Sequence, residues 1–140
     1  MKDNVILVNV ARFIIPFILI YALYVQFHGE YSPGGGFQAG VIFASAFILY
    51  GFIYGKNQLF KILSLNHLRV ISVFGVLLYF GTGIVTLLLG GKFLDYDVLI
   101  SNNPQIAQQV GIVTIELGVG VTVFSVMLMI LYLFIDAERK

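Results

Sequence analysis

Four long apolar stretches leave this chain few ways to fold. They run about Val5 to Phe27, Phe37 to Tyr54, Val70 to Gly90 and Val110 to Ile135. A helix rising about 1.5 Å per residue needs roughly 20 apolar residues to cross a hydrocarbon layer about 30 Å thick. Lipid offers no hydrogen bonds to the backbone, so such segments cross as helices, which satisfy their own peptide groups. The expected fold is an all-α integral membrane protein with four transmembrane helices, one membrane domain over residues 1–140. The chain is 59% hydrophobic and 11% charged, with a mean hydropathy of +0.97. A soluble domain carries about 25% charged residues.

The same inventory excludes several functions. Eight Lys plus Arg against seven Asp plus Glu leave a net charge of +1, far from the basic footprint of a nucleic-acid partner. Without cysteine there is no disulfide, thiolate nucleophile or cysteine-held metal, and the two histidines, His28 and His67, are widely separated. No Ser-His-Asp set, Walker lysine or paired carboxylates in one span can be assembled. No catalytic, cofactor-binding or metal-ligating residue is expected, and the chain is not read as an enzyme.

Charge also orients the spans. Lys2, Lys56, Lys61, Arg69, Arg139 and Lys140 collect on one side and only Lys92 on the other, which places both termini and the loop from Gly55 to Leu68 in the cytoplasm of a multi-pass cell-membrane protein. The first span ends in Gln26-Phe27-His28-Gly29-Glu30 rather than at a small-residue cleavage site, so it is expected to be retained. Pro16 can kink this helix without breaking it. Asn102-Asn103-Pro104 reads as a helix start, with Asn103 as N-cap and Pro104 at the first helical position, so the fourth helix projects a turn or so beyond the membrane.

Polar and small residues inside this apolar framework are the candidate sites. Pro33, Gly34, Gly35 and Gly36 form a corner into the second span, where glycines permit positive φ. The run Gly34 to Ala39 also fits a dinucleotide-binding pattern, but it follows no strand. The corner is read as a structural turn or as a loop lining an ion path. Gly36, Gly40 and Ala44, then Gly51 and Gly55, make a small-residue face that lets another helix approach closely, within the chain or from a partner. Glu116 is a carboxylate within a span, with Gly120 leaving room beside it, and such a residue faces water, a partner or an ion path. Leu117 to Ile135 is nearly a full crossing by itself, so Glu116 can equally sit at the interface. Arg12 is read as anchoring the cytoplasmic boundary or pairing with a carboxylate of another subunit. His28 is read as a polar cap or a proton relay. Asp95-Tyr96-Asp97 reads as a solvated loop or a weak attractor of cations.

These residues carry a resemblance. His28-Gly29, the run Ser32 to Gly40 (SPGGGFQAG) and the run Ile115 to Thr122 (IELGVGVT) are similar to the B subunit of the Mrp, also called Mnh, multisubunit sodium/proton antiporters, over nearly the whole chain. Relatives of that subunit occur in the membrane arms of energy-converting hydrogenases. The resemblance implies an accessory membrane subunit that works with other Mrp/Mnh subunits in lipid, in a complex exchanging Na+ for H+. It implies no catalytic residue in this subunit, and it points to Pro33–Gly36 and Glu116 as assembly or pathway positions. The chain departs from the family pattern at Glu30, where many members have histidine, and at Ala39, where glycine is common. Two other readings are a homologous subunit in a hydrogenase-type complex and a stand-alone homo-oligomeric transporter built around Glu116.

Overall fold

The computed structural model describes residues 5–29, 34–100 and 102–137. Its helices are α1 (Val5–Phe27), α2 (Gly36–Tyr54), α3 (Lys56–Ile62), α4 (Leu65–Leu88) and α5 (Pro104–Ala137), with a 3-10 turn at Tyr96–Leu99. All but α3 are long and apolar enough to cross a membrane, so the four expected spans are all present. The start of α5 follows from its local chemistry. Asn103 Oδ1 accepts from Ile106 N at 3.4 Å, and Pro104 occupies the first helical position, where its missing N–H costs nothing. At 34 residues, α5 is about 51 Å long, well beyond a hydrocarbon layer.

Two boundaries differ from the hydropathy reading. Helix α4 opens at Leu65, five residues before the apolar run, because Ser64 caps it by accepting from His67 N. A cap, not hydrophobicity, sets that start. The expected loop from Gly55 contains α3, whose seven residues are too few for a helix to persist without tertiary packing. Leu59 supplies that packing, fully buried against Gly51. Phe60 stacks on Tyr132 with ring centroids 3.5 Å apart, and the Tyr132 hydroxyl donates to the Leu63 carbonyl.

The four long helices stand in a row, α1–α2–α5–α4. The main packings are α1 on α2, α2 on α5 and α5 on α4, and α1 reaches α5 only marginally. Thus α2 and α5 are central, and α1 and α4 are edges. Buried positions are largely small, including Ala11, Ala22, Ala39, Ala44 and Ala46, whereas Phe13, Phe17, Phe74 and Phe134 are exposed. A soluble domain would reverse this. In lipid, apolar side chains gain nothing by leaving the solvent, and close backbone approach through small residues does the holding. One cluster of larger residues closes the α3 end, where Leu68 joins Ala44 and Leu128.

The segment after α4 folds back on its own helices. Leu94 takes a positive φ of 63°, and its N–H donates to Thr86 Oγ1 at 3.0 Å. Phe93 lies on Gly83 and Tyr96 on Gly111, places where a Cβ would collide with the rings. Gln108 Nε2 donates to Asp97 Oδ1 at 2.8 Å, and Lys92 N donates to Asp95 Oδ2 at 3.4 Å. Both carboxylates thereby tie the loop down, and burial pushes the Tyr96 phenol above its ordinary value, helped by Tyr79.

Candidate functional site

Most of the described candidate residues converge where α1 ends, α2 begins and α5 passes between α2 and α4. Gly35 has φ 120° and ψ −174°, a conformation open to glycine and strained for other residues. Gly34 lies against Val25 of α1, its would-be Cβ only 3.0 Å from Val25 Cγ1. At Gly36 the backbone of α2 rests on the backbone of Glu116. A Cβ there would stand 2.8 Å from the Glu116 carbonyl carbon and collide with its oxygen. One turn on, a Cβ at Gly40 would meet the Gly120 carbonyl oxygen at 2.6 Å and Val123 Cβ at 2.9 Å. The small-residue face read from the sequence is therefore a docking face within the chain, and α5 is what docks on it.

The glycines also make room for the Glu116 carboxylate. A Cβ on Gly29 would lie 2.8 Å from Oε1 and 3.1 Å from Oε2, and one on Gly35 would lie 3.1 Å from Oε1. The carboxylate thus occupies the space that side chains at 29 and 35 would fill, beside the first turn of α2. That helix has no side-chain cap. Its ladder starts with Ala39 N donating to Gly35 O at 3.0 Å, which leaves the amides of Gly36, Phe37 and Gln38 outside it. These amides give the helix start a partial positive charge, and a half-buried carboxylate carried in by α5 is its electrostatic complement. Glu116 therefore sits level with the start of α2, with Leu117–Ile135 running alongside that helix.

Gln26, in the last turn of α1, completes the cluster. It is 8% exposed, its Oε1 lies 2.7 Å from the would-be Cβ of Gly120, and its Nε2 has no hydrogen-bond partner among the described residues. His28 stays on the exposed rim, its ring stacked on Tyr24 with centroids 4.2 Å apart and its Nδ1 3.1 Å from the Tyr24 carbonyl oxygen. Arg12 is not part of the site. It is exposed toward the other end of α1, and its Nε donates to Tyr54 Oη at 3.3 Å. Pro33 and Glu30 lie outside the described residues.

The second face of α5 was not anticipated. A Cβ on Gly118 would lie 2.9 Å from the Gly75 carbonyl oxygen of α4, and one on Gly75 would collide with Thr122 Oγ1. Thr122 donates to Gly118 O at 2.8 Å. At Gly75 the available signal was a small residue inside an uncharged span that also holds Gly81 and Gly83. At Gln26 the signal was an amide in the final turn of an apolar helix. Neither showed which helix would be the neighbour.

The chain is similar to known proteins. A family described as "Domain related to MnhB subunit of Na+/H+ antiporter" matches residues 6–129, which contain every group at the corner. A Staphylococcus epidermidis protein carrying the antiporter-subunit name mnhB2 is 32% identical over 135 residues, 94% of each chain. A Staphylococcus aureus (strain Newman) protein of the same name is 34% identical over 96 residues, 68% of this chain and 67% of that one.

Proposed function

This chain belongs to the family of domains related to the MnhB subunit of Na+/H+ antiporters, and from that membership we propose that it is an accessory, multi-pass cell-membrane subunit of a multisubunit Na+/H+ antiporter. The open row of helices is the observation that supports an accessory role. With α1 and α4 at opposite edges, the described residues leave both edges and long apolar stretches of the outer surface open to neighbouring subunits or lipid. A self-sufficient transporter needs a polar path enclosed by helices.

In this reading both termini are cytoplasmic, the ions crossing the complex are Na+ and H+, and the other antiporter subunits are the partners. The corner of Gly35, Gly36, Gly40, Glu116 and Gly120 serves assembly. It fixes the spacing of the two central helices and presents one carboxylate at the membrane edge. Arg12 anchors the opposite end of the edge helix.

Reconstitution tests this. The purified chain in liposomes should show no cation-driven proton movement, whereas the complex solubilised from its native membrane should co-migrate with several hydrophobic polypeptides and exchange Na+ for H+. Full antiport by the isolated chain would refute the accessory role.

A further inference from the structure

Alongside the corner runs an apolar groove of about 230 Å³ between α1 and α5, floored by α2, whose wall includes Leu23, Gln26, Phe43, Leu117, Val121 and Phe124. It exists because Ala39 and Gly40 on the floor and Gly120 on the wall leave space that larger side chains would take. Leu23 and Leu117 on its rim are exposed, so hydrocarbon can enter from the side.

Gln26 distinguishes this groove from an ordinary lipid-facing furrow. The residue is more than nine-tenths buried in the wall, and its Nε2, itself buried, has no acceptor among the described residues. An amide N–H in an apolar medium strongly requires one. Water is a poor answer, since a held water needs two to four polar partners and, among the described residues, Gln26 is the only polar side chain on this wall. The fitting occupant has an apolar body and one hydrogen-bond acceptor. Its depth is also set. Gln26 lies in the last turn of α1, near the first turn of α2, at the edge of the hydrocarbon layer where it meets the interfacial region.

We propose that this groove is a lipid site. One acyl chain of an ester-linked membrane lipid lies along Phe43 and Phe124, and its ester carbonyl accepts a hydrogen bond from Gln26 Nε2. The terminal amide torsion of glutamine is soft enough to turn the N–H into the groove. A dry apolar cavity of about 150 Å³ takes a benzene ring, so this groove takes a longer run of hydrocarbon. Among the described residues no charged side chain lines it, so recognition falls on the carbonyl and chain rather than on the headgroup.

The test uses the full chain within its purified detergent-solubilised complex. The complex is loaded with dioleoyl phosphatidylglycerol or with the diether analogue of identical chains and headgroup, washed, and the retained lipid is counted by mass spectrometry. One hydrogen bond should favour the ester lipid by about fivefold. Gln26→Leu should abolish that preference while apolar retention persists, and Leu117→Trp, which fills the groove, should abolish retention of both lipids. Equal retention of ester and diether lipid by the wild-type protein overturns the proposal, and so does retention of neither, the result expected if a partner side chain fills the groove. The wild-type comparison needs no variant to fold, and lipid retention is read independently of antiport.

Discussion

Helix α5 is held from two sides by the same device, close backbone approach over glycine, yet the two sides differ in what opposes each glycine. Toward α2, the three atoms nearest a Cβ at Gly36 are all Glu116 backbone. Toward α4, the nearest neighbour of Gly75 is the Thr122 hydroxyl, although Gly118 O at 2.7 Å and Thr122 N at 2.8 Å stand close behind. Backbone in a helix cannot move without carrying the helix along, whereas a hydroxyl can turn or be removed. The contact at Gly36 is therefore the more rigid of the two, and the one at Gly75 has some give.

The sharpest way to break this contrast is Gly36→Ala. It should cost about 3 kcal/mol, the upper end of overpacking, read as a lowered unfolding midpoint in detergent or as loss of accumulated protein. Gly75→Ala should cost less, about 2 kcal/mol. Adding Thr122→Ala should recover part of that cost, because the pair is in contact and couples. Equal costs at positions 36 and 75, or no recovery, would erase the distinction.

Glu116→Gln keeps the size of the side chain and removes the charge facing the α2 start. The expected loss is about 0.5–1 kcal/mol, smaller than either glycine change, and a neutral result would show that the carboxylate does not support that helix end. Gly81→Ala is the control, since nothing lies within 4 Å of its would-be Cβ. It should be neutral or stabilising by about 0.5 kcal/mol through lower backbone entropy.

The smallest effect concerns the loop packed on the α4 side. Burial raises the Tyr96 phenol above its ordinary value of 10.0 in the folded protein. As pH rises past 10.0 the unfolded loop loses that proton first, so stability present below this pH declines through the folded value. Hydrogen exchange between pH 9 and 11 should show amides near Gly111 losing protection before those near Gly36. The opposite order would detach the effect from Tyr96.

Much of this was legible in residues. The four spans, the cap at Asn103 and Pro104 and the docking face of Gly36 and Gly40 follow from apolar length, cap chemistry and the spacing of small residues, all local properties. Helix α3 was not legible, because a seven-residue segment is helical only once Leu59 finds Gly51. Gln26 read only as the polar end of a span. Its burial depends on Gly120, 94 positions later in the chain.

Lipid as solvent, four crossings and the small-residue faces were determined by the sequence itself, because hydropathy, length and Cβ size belong to each residue wherever its neighbours lie. The order α1–α2–α5–α4, the meeting of Glu116 with Gly29 and Gly35, and the groove beside Gln26 were decided only in three dimensions. Apolar helices in lipid have no hydrophobic reason to prefer one neighbour over another. Their pairing is settled by which backbones can come close enough to touch.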